Sequence, residues 1–170
     1  MYTTKLDPAE ISALTDRLLI ARSNNLKKIL EIEHRLETVG EKEGVEFLND
    51  SKATDSTATM YSLTCMDKPV IWLLSCVVGF EDFSDLKAVA SDKVKAIFYL
   101  GETNDLLVED FVNEVDVVQQ CSSMEELVQE AFNYSREGET ILFSPATPSS
   151  DIFGNYRRRG EEFRKCVGNL

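Results

Sequence analysis

The sequence predicts an α/β domain built on a mainly parallel sheet of about six strands with helices on both faces. Three observations carry this. Strand-like and helix-like segments alternate from residue 45 to the C-terminus. Val70 to Val78 is an unbroken apolar run, the kind of strand that a parallel sheet buries on both sides. The intervening segments open with helix-capping residues, as in Ser123-Met124-Glu125-Glu126.

Taken in order, Asp7-Pro8-Ala9-Glu10 is a helix start, and Ile11, Leu14, Leu18 and Ala21 follow at helical spacing until Ser23-Asn24-Asn25 interrupts them. Residues 1–33 are therefore expected to be an N-terminal helical segment, and residues 34–170 a separate α/β domain. Arg35 to Val39 and Val45 to Asn49 read as strands joined by the charged turn Gly40 to Gly44. A polar loop, Asp50 to Thr57, leads into a helix from Ala58 to Cys65. After the apolar strand come a helix over Phe83 to Ala90, a strand over Ala96 to Leu100 and an acidic helix over Asn104 to Val115. A short strand at Val117 to Gln119 precedes the capped helix, which runs to about Arg136. Gly138 ends that helix, Thr140 to Phe143 is the last strand, and Tyr156 to Val167 is the terminal helix.

Composition excludes several functions. A formal charge of -12 and a pI near 4.5 repel phosphate backbones and anionic lipid, so no nucleic acid and no membrane are expected as partners. Cys65, Cys76, Cys121 and Cys166 form no CxxC pair and read as buried thiols of a reducing compartment. With His34 the single histidine, no zinc cluster is expected. No signal peptide and no span of membrane length is legible, which makes the cytoplasm the expected location.

Ligands of open α/β sheets sit at the carboxyl ends of the strands. Two loops have that position here, one offering Asp50, Ser51, Lys52 and Thr54, the other Ser144, Thr147, Ser149 and Ser150. Lys52 with Thr54 and Ser149 suits a small carboxylate, and Asp50 suits hydroxyl donors such as those of a ribose. The same residue types also favour helix caps and turns, so composition alone leaves both readings open. His34 reads as structural, Trp72 as core, and Arg157-Arg158-Arg159 as a solvated helix face that could pair with the acidic stretch Glu102 to Asp116 of a second copy.

Order and spelling add to this. His34-Arg35-Leu36-Glu37, the run Gly44 to Thr54, Asp82-Phe83-Ser84, and Ser144 to Tyr156 with Arg159-Gly160 and Phe163 together resemble the C-terminal domain of the Mur ligases, nearest the type that adds D-glutamate. The resemblance implies a Rossmann-like three-layer fold and a role in peptidoglycan precursor synthesis. It further implies that Lys52, Thr54, Ser149, Ser150 and Tyr156 face D-glutamate or a related carboxylate, and that Arg35 and Asp50 lie near the nucleotide. In that family ATP and magnesium are held by a separate central domain. No G-x-x-x-x-G-K-[ST] pattern occurs in these 170 residues, so the chain is expected to bind neither alone, to assign no catalytic residue, and to depend on a separate ATP-binding domain. Met1 and the capped helix read as a natural start, hence a stand-alone homologue, with an excised functional C-terminal part as the alternative. Departures are also visible. Gly79 stands where the family has a lysine for the side-chain carboxylate, with Glu81 nearby, a change worth about 2–5 kcal/mol of lost binding. Asp55 replaces an asparagine, Thr147-Pro148 two small residues, and Gly154 a lysine.

Overall fold

The computed structural model describes residues 33–75, 82–149 and 152–170. The helical reading of residues 1–33 therefore falls, but for Glu33, outside the described residues, as do Cys76, Gly79, Glu81 and Ser150.

Strand β1 (Glu37–Lys42) and strand β2 (Val45–Asn49) form an antiparallel hairpin. Its turn is Glu43-Gly44, with φ of 52° and 75°, the left-handed pair that a tight two-residue hairpin demands. This is shorter than the expected turn over Gly40 to Gly44. Glu41 and Lys42 are strand residues whose charge suits an edge, and the Lys42 ammonium lies 5.4 Å from the Phe132 ring centroid. Gly40 instead takes part in the register shift between Thr38 and Gly40.

Helix α1 (Ser56–Thr64) follows, then strand β3 (Val70–Ser75). The expected helix over Phe83 to Ala90 is a 3₁₀ turn, Ser84–Leu86, running into helix α2 (Lys87–Lys93). Strand β4 (Val94–Leu100) leads to helix α3 (Asp105–Phe111), which is capped by Asn104 and is four residues shorter at its C-terminal end than the acidic pattern suggested. At that end Phe111 is buried edge-on against Trp72, 5.8 Å between centroids, Val112 faces solvent, and the Glu114 and Val115 N–H groups both donate to the Phe111 carbonyl, so the chain closes in a bifurcated turn. Strand β5 (Val117–Cys121), helix α4 (Met124–Tyr134), strand β6 (Thr140–Phe143) and helix α5 (Tyr156–Gly168) complete the order.

The strands form one sheet in the order β1-β2-β6-β3-β4-β5, parallel except for the β1–β2 hairpin. Alternation along β3 explains why both faces are apolar. Val70, Trp72 and Leu74 point to one layer, with Leu63 of α1, Ala90 of α2 and Leu107 of α3. Ile71 and Leu73 point to the other, with Leu127 and Val128 of α4 and Phe163 of α5. Phe163 stacks on Phe143 of β6 at 4.8 Å. Cys121 and Cys166 are buried thiols whose pKa values burial raises, Cys121 to about 12. Cys65 is exposed, against expectation, because it caps the end of α1 at the surface.

His34 is buried at φ 61°, and Asn49 Nδ2 lies 2.9 Å from its Nδ1 and donates to the Gly160 carbonyl. Its ring occupies the space that a side chain at Gly160 would need, with an added Cβ only 2.3 Å from Nδ1. Gly160→Ala is expected to destabilise the fold by about 1–3 kcal/mol through this overpacking. In urea denaturation the loss should be less than additive with that of His34→Ala; full additivity would mean that the two residues do not share the space.

Candidate functional site

The last paired residues of β2 and β6 are Asn49 and Phe143. Asp50 and Ser144 consequently leave the sheet side by side, with the Asp50 N–H on the Phe143 carbonyl at 2.8 Å. Asp50 is 1% exposed. Its Oδ2 accepts from Ser62 at 2.6 Å and Ser144 at 2.8 Å, and its Oδ1 accepts the Leu36 N–H at 3.2 Å. Burial pushes its pKa up, outweighing the two hydroxyls, the Leu36 amide and the more remote charge of Arg35. The hydroxyls that reach Asp50 thus come from α1 and from the β6 loop. Thr59 extends the cluster to Ser144 at 2.9 Å, and the Trp72 indole donates to the Ser144 carbonyl at 2.7 Å.

Past Asp50 the chain stays anchored. The Lys52 N–H donates to the His34 carbonyl at 3.0 Å, and the Ser51 hydroxyl to the Tyr156 carbonyl at 2.8 Å. The second bond brings the start of α5 to the β2 loop, and Lys52 Nζ stands 5.9 Å from the Tyr156 ring centroid, within cation–π range. Thr54 lines a cleft of about 300 Å³ with Asp55, Ser56, Asp82, Phe83, Ala146 and Pro148. Two of these acids are already engaged. Asp55 caps α1 through Ala58, and Asp82 accepts from Ser84, which lowers its pKa.

Opposite Thr54, Ala146 takes φ 60°, and the buried Thr147 hydroxyl donates to the Ser75 carbonyl at the end of β3. Ser149 is 7% exposed on the same loop. Arg35 is half-buried beside Leu36. The structure therefore gathers Lys52 with Tyr156, and Thr54 with the β6 loop, at the carboxyl ends of β2, β3 and β6. Asp50 underlies the loops as a buried tie.

Arg159 is the residue that the sequence reading misplaced. Arg157 and Arg158 are exposed as expected, but Arg159 is 0% exposed. It donates to Ser51 Oγ at 3.1 Å, the Ser51 carbonyl at 3.0 Å, and the Thr147 and Pro148 carbonyls at 3.0 and 3.3 Å. The signal was available, since Arg159, Phe163 and Cys166 share one helical stripe and all are buried. Two grooves elsewhere, about 520 Å³ between β1 and α5 and about 820 Å³ beside Leu100 and Ser123, are larger but hold none of Lys52, Thr54, Ser149 or Tyr156. Among the described residues, no group of three or more His, Cys, Asp or Glu side chains is placed to hold a metal ion. Nor is any described helix long and apolar enough to cross a membrane.

A family model described as "Mur ligase, glutamate ligase domain" matches residues 34–147. The UDP-N-acetylmuramoylalanine–D-glutamate ligase of Christiangramia forsetii is 38% identical over 166 residues, covering 95% of this chain and 37% of that protein. The enzymes of the same name from Cytophaga hutchinsonii and Alkaliphilus metalliredigens are each 36% identical, over 86% and 87% of this chain and 32% and 33% of their own lengths. The chain thus spans about a third of these relatives. In fold it is similar to the MurF ligase of Thermotoga maritima in complex with ADP (TM-score 0.52, 11% identity, 98% of this chain and 40% of that one). It is likewise similar to E. coli FolC in complex with ADP (TM-score 0.52, 15% identity, 81% of this chain and 32% of that one). Matched over most of its length by both the family model and the D-glutamate ligases, the chain belongs to the Mur ligase family, in the part that corresponds to the glutamate ligase domain.

Proposed function

We propose that this chain is the amino-acid-binding module of an ATP-dependent, D-glutamate-adding amide ligase, working in the cytoplasm in peptidoglycan precursor synthesis. The observation that carries the reading is the convergence of the β2 and β6 loops on one cleft at the carboxyl end of the sheet, in a chain 36–38% identical to D-glutamate ligases. Lys52, Thr54, Ser149, Ser150 and Tyr156 would take the amino acid, with the Lys52 ammonium supplying charge and the hydroxyls fixing orientation. Arg35 and Asp50 would lie on the nucleotide side. A ribose hydroxyl would reach Asp50 at Oδ1, beside the Leu36 amide, or by displacing Ser62 or Ser144 from Oδ2.

ATP and magnesium belong, in this reading, to a domain outside these 170 residues, whether on a longer polypeptide or on a separate chain. What supports this reading is that the sequence contains no phosphate-cradling G-x-x-x-x-G-K-[ST] motif. The contribution of the module is positional, holding the nucleophilic amine where an activated carboxyl is presented. One sequence feature favours a second reading, a relative retained for binding alone: residues 75–81 contain no lysine or arginine, and Gly79 stands where the family lysine would be.

Calorimetric titration with D-glutamate, L-glutamate and ATP separates these readings. The expected outcome is no ATP turnover by the purified chain and weak, stereoselective D-glutamate binding that Lys52→Ala abolishes. ATP hydrolysis by the chain alone would contradict its dependence on a further domain. Equal response to both enantiomers would leave only the second reading.

Asp50 gives a second test. Its folded pKa is raised above the unfolded value of about 3.9, so the native state binds its proton more tightly and stability falls as pH rises through the folded value. Asp50→Asn removes this dependence. The stability of the wild type relative to the variant should hold steady below about pH 4 and decline as pH rises toward 7. Glu37 shifts the other way: burial opposes its ionisation, but Arg164 and the His34 N–H outweigh it. Being common to both proteins, it cancels in the comparison. A relative stability that instead grows with pH would mean that the hydroxyls and the Leu36 amide outweigh burial.

A further inference from the structure

We infer that Arg159 is a positioning residue that locks the two loops of the cleft into one rigid unit. The inference rests on the reading of that cleft as the amino-acid site. Its premise is geometric. One edge of the guanidinium grips Ser51 twice, through Nε on the hydroxyl at 3.1 Å and Nη2 on the carbonyl at 3.0 Å. The remaining nitrogen, Nη1, reaches the Thr147 and Pro148 carbonyls at 3.0 and 3.3 Å. Ser51 is next to Lys52 and three residues before Thr54, and Pro148 is next to Ser149. Arg159 therefore holds the backbone next to Lys52 and next to Ser149.

Among the described residues, few other hydrogen bonds join the loops. Beyond the Asp50–Ser144 pair at the sheet edge, every hydrogen bond described between residues 51–54 and 145–149 runs through Arg159. The other anchors lead away, Thr147 to Ser75 on β3 and Ser51 to Tyr156 on α5. Burying a guanidinium is costly, and here the cost is offset by four hydrogen bonds to acceptors on two loops. What only arginine supplies is a planar fork whose donors diverge at fixed angles, so one side chain spans two segments. Lysine keeps the charge but concentrates its donors on one atom. It can satisfy one loop, not both.

The α5 backbone brings Arg159 into this place. Gly160, the next residue, packs without a side chain against His34, and Phe163, one turn on, stacks on Phe143. With the Asn49 side chain of β2 donating to the Gly160 carbonyl, the helix is seated on β2 and β6 by contacts independent of the guanidinium, so removing the fork leaves the helix docked. The effect of the substitution is then local.

Amide hydrogen exchange on the 170-residue chain tests this, with Arg159→Met, Arg159→Lys, the milder Ser51→Ala and a remote core control, Leu107→Ala. In Arg159→Met the amides of Lys52 and Ala53, and that of Ser75, which donates to Pro145, should lose protection about tenfold more than those of Trp72 and Phe98 in the central strands. Arg159→Lys should behave the same way despite its charge, and Ser51→Ala should move the same amides in the same direction by about threefold. Leu107→Ala should lower loop and core protection together. D-glutamate affinity should fall about tenfold in Arg159→Met and stay within about twofold in Leu107→Ala at temperatures where both are folded. Loop amides that exchange in step with the core in both Arg159 variants, or full protection in Arg159→Lys, would overturn the inference. If Arg159→Met does not fold, Arg159→Lys and Ser51→Ala decide by the same amides. Absence of D-glutamate binding in the unsubstituted chain would refute the proposed function and leave the exchange result to judge Arg159 separately.

Discussion

Parallel pairing of β2 with β6 is the constraint on which the site depends. The two strands are far apart in the chain, yet their shared register ends at Asn49 and Phe143, so their loops leave the sheet as neighbours. Asp50 and Ser144 close that junction in a fully buried setting, where an unsatisfied polar group would be expensive. Every part of the cluster answers another. Ser62 and Ser144 donate to Asp50, Thr59 meets Ser144, and Trp72 holds the Ser144 carbonyl. A core tryptophan is thereby coupled to the loop that carries Thr147 and Ser149.

Asp55 and Asp82 both line the cleft above this junction, and each accepts from a backbone N–H at a helix or turn N-terminus, which favours its charge there. Thr54 and Ser56 add hydroxyls to that lining, and the Lys52 ammonium stands near Tyr156 on the same loop, outside the cleft itself. That inventory suits an amino acid bound by orientation more than by charge. It also agrees with a module whose partner domain supplies the phosphate chemistry.

Much of the fold was legible in the sequence because its signals are local. Val45–Asn49 and Thr140–Phe143 form strands with the bounds that the sequence predicts, since each is a short, mainly apolar run followed by polar residues. Ser123 capped its helix as its spelling required. Errors arose where tertiary contacts decide. Glu41 and Lys42 looked like turn residues because charge is common to turns and to edge strands. The acidic pattern to Val115 is helical in spelling, but α3 ends at Phe111, whose carbonyl is shared by the Glu114 and Val115 N–H groups. Arg159 was hidden by its neighbours Arg157 and Arg158, since three arginines in a row suggest solvent until the helical phase is counted from Phe163. The site was legible only as two loops of suitable composition. Which side chains meet, and which are consumed as ties, depends on strand order, and strand order is not written in any local window.

An amino-acid site formed jointly by the β2 and β6 loops is open to chemical-shift mapping of the labelled chain with D-glutamate, against L-glutamate as the reference. Enantiomer-selective shifts confined to Lys52, Thr54, the loop to Ser149, and Tyr156 are expected. Shifts that are absent, indifferent to chirality, or gathered instead around the groove beside Leu100 and Ser123 would contradict such a site.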